Sequence, residues 1–221
     1  MRWIIVLSTF CLAFTVRALV ALNASSTIGD AQSYLTVAQN LLLDGCVSMS
    51  APTVGDCVPH WGGNQLPGYP AFIATVYRIF PADITSLVIA QCTVAALAIS
   101  YCVFTIHRCS GTRLQAWAAA VVLSLSPVAL PWVRFAFSES LTIALAIMIL
   151  AELINSLHFR KLRIVSLSVL LIAAIFVRYD AMFLALPIAI AGIMIHGPAK
   201  ASRRGLVMCV VISIPFGAWW L

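Results

Sequence analysis

The chain has 221 residues, of which 62% are hydrophobic and only 9% charged, and it carries a formal net charge of +6. A soluble domain of this size needs more polar surface than that to stay hydrated, so the composition excludes one and points to a multi-span membrane protein. The basic residues stand in short clusters between apolar runs, which excludes a broad nucleic-acid surface and fits the lysines and arginines of cytoplasmic loops.

The first apolar run, residues 3 to 22, is long for a signal peptide and is interrupted by Arg17. It reads as an uncleaved first span. Residues 23–83 form the one long region without a spanning run, and it opens with "GDAQSYLTVAQNLLLDG" at 29–45. Ala31, Tyr34, Leu35, Ala38, Leu41, Leu42 and Gly45 recur at spacings of three and four, the apolar face of a helix. Gln32, Thr36, Gln39 and Asn40 lie mainly opposite. This spacing predicts a helix resting on the membrane surface, with Asp30 in its first turn, where the helix dipole favours a carboxylate.

Farther along, Pro67, Gly68 and Pro70 make a stiff turn into a short apolar helix at about 70–80, too short to cross a bilayer. Cys46 and Cys57 flank the polar loop in between and can pair if that loop faces an oxidising compartment. Cys11, Cys92, Cys102 and Cys209 fall in apolar segments and read as packing residues. His60, beside Trp61, reads either as a solvated loop histidine or as a contact for an acceptor.

Further spans are expected at 84–106, 114–133, 140–157, 164–177 and 181–195, and a seventh from near 205. With the amino terminus in the cytoplasm, Arg2, Arg108, Arg113, Arg160, Lys161, Arg163, Lys200, Arg203 and Arg204 all fall inside, and 23–83 falls outside. The chain ends inside an apolar run, "IPFGAWWL", as one module of a longer membrane unit would.

The charges left over are the informative ones. Asp30, Arg78, Arg134, Glu139, Arg178 and Asp180 collect on the expected outer side, and Arg17 lies about a turn from the outer end of the first span. Charges near membrane depth pair, line a wet cavity or bind something charged. Taken singly each has a plainer use: Arg134 and Arg178 can snorkel, Glu139 can cap a span beside Ser138, and Asp30 can be a helix-start acid. As a set, arginines suit a lipid phosphate and a nearby acid suits taking a proton from a hydroxyl nucleophile. A lipid-binding or transport protein can use the same charges.

The order of these segments resembles the GT-C superfamily of integral-membrane glycosyltransferases. It is most similar to bacterial relatives of the dolichyl-phosphate-mannose protein mannosyltransferases and the aminoarabinose transferases of lipid A. The matching stretches are "GDAQSYLTVAQNLLLDG" at 29–45, "QLPGYPAF" at 65–72, "RFAFSESL" at 134–141 and "VRYDAMFLALP" at 177–187. The resemblance implies an all-α polytopic module over 1–221, about seven transmembrane helices with surface helices in a first periplasmic loop, 23–83. It implies transfer of a sugar from a polyprenyl-phosphate donor to a hydroxyl on a glycolipid, polysaccharide or protein. Transfer would occur on the periplasmic face of a bacterial inner membrane, with inversion at the anomeric carbon. Asp30 would be the general base, and Arg134 and Arg178 would hold the donor phosphate. Tyr69 would shape the pocket mouth, and Glu139, Asp180, Gln65 and His60 would support the site or touch sugar. No cofactor is expected; a divalent metal, which some of these families use, is not predicted. The alternatives are a non-catalytic subunit or inactive relative, and a transporter of lipid-linked sugar.

Overall fold

The computed structural model of the chain describes residues 2–23, 30–49 and 66–197. The expected seventh span, Gln65, His60 and Cys57 lie outside them. Over the described residues the protein is all-α, with several apolar helices long enough to span a membrane.

Helix α1 (Arg2–Leu22) packs along α4 (Ile84–Ser110), and α4 packs along α6 (Ser138–His158). The contact among α1, α4 and α5 (Arg113–Ser124) combines the fully buried small side chains Ala13, Ala96, Ala116 and Ala120 with Ile5, Ile99 and Val103. Small residues let helices approach closely where lipid gives no hydrophobic drive to associate. A second core joins α6, α7 (Ile164–Val177) and α8 (Ala185–His196) through Ile149, Leu167, Leu171 and Ile188. Large apolar side chains such as Leu7, Leu114, Val122, Val165, Leu186 and Met194 remain on the outside of these helices. That is the surface of a protein solvated by lipid.

The helix ends follow local chemistry. Asp83 caps α4 by accepting from the Ser86 amide at 2.7 Å, and Gly111 ends it at a φ of 71°, a left-handed position that glycine takes without strain. The turn between α6 and α7 closes with Arg160 at a φ of 51°. The chain reversals put the start of α1, the α4–α5 turn and the α6–α7 turn at one end of the bundle: Trp3 stacks on Phe104 at 6.5 Å, and Arg108 lies 4.9 Å over Phe159. Arg108, Arg113, Arg160, Lys161 and Arg163 therefore share that end.

At the opposite end lie α2 (Asp30–Asp44) and α3 (Gly68–Ile79). Both helices arise where the periodicity and the proline turn predict them. Both dock against the end of the bundle. Ala31, Tyr34 and Ala38 of α2 pack with Tyr69, Ile73 and Ala74 of α3, over Leu87, Ala136 and Val177 of the bundle. Asn40, on the expected polar face, is buried and donates to the Ser48 carbonyl at 2.7 Å. Gly68 explains how α3 comes so near: a Cβ there would stand 2.5 Å from the Phe176 carbonyl oxygen at the end of α7.

The expected third span, 114–133, is not one helix. α5 stops at Ser124, a turn follows, and a short 3₁₀ segment, Pro131–Arg134, completes the passage. Pro127 has no amide hydrogen for the Leu123 carbonyl. Arg17 supplies the missing donors, bonding Leu123 O at 3.0 Å and Ser124 O at 3.1 Å. Arg17, expected near the outward surface, is thus 1% exposed and caps a broken helix. The sixth span also begins differently, as a 3₁₀ segment, Tyr179–Leu184, before α8.

Candidate functional site

The first turn of α6 and the break between α7 and the Tyr179–Leu184 segment meet beside α2. Arg178 sits in extended backbone at that break, which swings its side chain back over α6. Its Nη1 donates to Glu139 Oε1 at 2.6 Å. Its Nε and Nη2 donate to Asp180, the latter at 2.9 Å to Oδ2. The side chains are 29%, 28% and 43% exposed respectively, so the cluster is open on one side. The hydrogen bonds it donates to Asp180, with support from Glu139, hold the guanidinium protonated beyond its ordinary range.

Tyr34 joins α2 to this cluster. Its hydroxyl lies 3.3 Å from Ser138 Oγ, and Ser138 in turn reaches Glu139 at 3.5 Å. Burial pushes the Tyr34 phenol above its usual value, and the charges of Glu139, Arg178 and Asp30 all bear on it. Asp30 begins α2 one turn before Tyr34, so the phenol stands between that acid and the Ser138–Glu139 turn of α6 in sequence of contacts. Asp30 itself is exposed at the start of α2.

Tyr69 was expected at a pocket mouth. It is instead fully buried beneath Tyr34, edge to face with it at 5.0 Å, and its hydroxyl receives a hydrogen bond from Gln91 of α4. Burial holds its phenol well above the ordinary value. The stiff proline turn packs the ring inward, so Tyr69 supports the floor of the site.

Arg134 ends the 3₁₀ segment four residues before α6. Its guanidinium lies 4.9 Å over the Phe135 ring, and among the described residues its buried Nε has no hydrogen-bond partner. Cys46, just past α2, is disulfide-bonded; Cys57 lies outside the described residues, as do Gln65 and His60. Among the described residues no three His, Cys, Asp or Glu side chains gather as a metal site would need.

A carboxylate that sequence reasoning passed over lies at the other end of α6. Glu152, 5% exposed, accepts from Tyr101 of α4, from Arg163 at 3.1 Å and from Ser166 at 3.1 Å. A lone acid inside an apolar run, with an arginine just past the end of that helix, was the signal available.

Fold and site together define a class: a membrane protein of apolar helices with one half-exposed cluster of acids and arginine at the end away from its basic turns. No family model, curated protein or solved structure matches the chain.

Proposed function

We propose that the chain is a glycosyltransferase of the GT-C kind, moving a sugar from a polyprenyl-phosphate donor to an acceptor hydroxyl on the periplasmic face. One observation carries this reading: Arg178 bridges Glu139 and Asp180, and α2, which opens with Asp30, is tied to that cluster through Tyr34 and Ser138, at the end opposite Arg108, Arg113 and Arg160. With those basic turns in the cytoplasm, the cluster faces outward.

In this reading Asp30 takes the proton from the acceptor hydroxyl, whose oxygen attacks the anomeric carbon from the side opposite the phosphate. The bond from that carbon to the phosphate oxygen breaks with inversion, and the negative charge grows on the leaving phosphate. Of the two arginines, Arg134 is the better phosphate ligand, because its Nε has no acceptor among the described residues. Arg178 already meets two carboxylates, so it orders Glu139 and Asp180, which are then available to sugar hydroxyls.

The test is transfer from labelled polyprenyl-phosphate sugars by membranes containing the full chain. Asp30→Asn should lower turnover by roughly 10²–10⁴-fold while donor binding persists, and Arg134→Gln should weaken donor binding. Unchanged transfer in Asp30→Asn removes the mechanism. The broken α5 favours a transporter as a second reading, since interrupted helices build substrate sites in transporters. Arg17, however, already occupies the carbonyls at that break. Movement of intact donor across vesicles without transfer would decide for transport.

A further inference from the structure

The break in α5 leaves a second polar place, buried within the bundle and separate from the Glu139–Arg178 cluster. A cavity of ≈ 10 Å³, room for one small occupant, lies beside it, lined by Arg17 and Ser140 with apolar side chains including Ala95, Val133, Ala144 and Ile147. Arg17 is 1% exposed and Ser140 4%. Ser140 Oγ has no hydrogen-bond partner among the described residues.

We propose that this cavity binds a small monovalent anion, with chloride as its ordinary occupant. The guanidinium of Arg17 bonds only to carbonyl oxygens, those of Ala13, Leu123 and Ser124. Carbonyls satisfy its hydrogens but do not cancel its charge. Among the described residues no carboxylate comes within ion-pair distance of it. An uncancelled charge inside a bundle this apolar is costly, and an anion beside it offsets part of that cost, less its own desolvation. The lining also fits the occupant. The guanidinium can only donate, and the Ser140 hydroxyl is free to donate. The Ser140 oxygen is the one side-chain acceptor among the lining residues, so a water would find a side-chain acceptor for only one of its two hydrogens. A halide asks for donors and tolerates apolar contact elsewhere. Such an ion would tie α1, the break after α5 and α6 together where Pro127 interrupts the backbone ladder.

The test uses the full chain in nanodiscs of zwitterionic lipid, with thermal unfolding followed in sodium gluconate as chloride or bromide replaces gluconate at fixed ionic strength. The midpoint should rise and saturate with either halide, because a ligand that binds only the folded state stabilises it. Ser140→Ala should shift the half-saturating chloride concentration upward by about tenfold, the worth of one hydrogen bond to an ion. Arg17→Gln should abolish the dependence. If that variant does not fold, Ser140→Val, which fills the cavity with methyl groups, should abolish it instead. Equal midpoints in chloride and gluconate for the unaltered chain would overturn the proposal in favour of a neutral water. A halide response undiminished in Ser140→Val would overturn it by placing the anion elsewhere.

Discussion

Glu139 and Glu152 lie on the same helix, about 20 Å apart at the rise of an α-helix, and each meets an arginine from a different end of α7. Arg163 precedes α7 and bonds Glu152; Arg178 follows α7 and bonds Glu139. The two ion pairs staple the α6–α7 hairpin at top and bottom, yet their surroundings differ. The Glu152 carboxylate is 7% exposed and accepts from Tyr101 of α4 and from Arg163 and Ser166 at the start of α7, while the Arg163 side chain itself is 49% exposed. The carboxylate's charge is matched one for one. At the other end Arg178 faces two carboxylates, all three groups are partly open, and the local balance is one negative charge. A buried carboxylate whose charge is matched holds helices together. An open cluster with surplus charge also holds them, and keeps capacity for a polar ligand.

Substitutions that separate stability from ligand handling sharpen that contrast. The largest expected effect is at the Glu152 end. Arg163→Ala removes the charged partner of a buried carboxylate that keeps Tyr101 and Ser166 and should cost roughly 1.5–3 kcal/mol, read as a fall in unfolding free energy in detergent; Glu152→Gln, which keeps an acceptor for Tyr101, should cost less. Next comes Gly68→Ala. Its new methyl meets backbone at the Phe176 carbonyl, and overpacking of that sort costs roughly 1–3 kcal/mol. It should also lift α3 from the end of α7 and expose Tyr69 to solvent quenchers of its fluorescence.

Arg178→Ala should cost only about 1 kcal/mol in stability, because the cluster is partly solvated and screened, while donor binding or transfer falls far more. An equal loss at Arg163 and Arg178 in both readouts would erase the distinction between the ends. The smallest effect belongs to Tyr34→Phe, which deletes one hydroxyl contact to Ser138 at 3.3 Å and should cost about 0.5 kcal/mol.

Much of the skeleton was readable before any fold. The apolar runs fix α1, α4 and α6, and α7 fills the predicted 164–177 segment. The three-and-four spacing of Ala31, Tyr34 and Ala38 fixes α2, and Pro67 with Gly68 fixes the start of α3. The bond between Arg178 and Asp180 is local and could be guessed from two positions of separation. Its bond to Glu139 joins residues 39 positions apart, and no local pattern announces that. The third span misled because mean hydropathy is blind to a missing amide. Ser124, Pro127 and Pro131 keep the run apolar enough to cross while denying it a continuous ladder.

By itself, then, the sequence determined which segments leave water and where helices begin, because transfer of apolar side chains and the backbone limits of proline and glycine act over a few residues. Tertiary structure alone decided what each charge does. Arg17 and Arg178 are the same side chain, yet one caps carbonyls 106 and 107 positions away and the other bridges two acids. Electrostatic energy depends on distance through space and on exposure to solvent, and neither quantity is written along the chain.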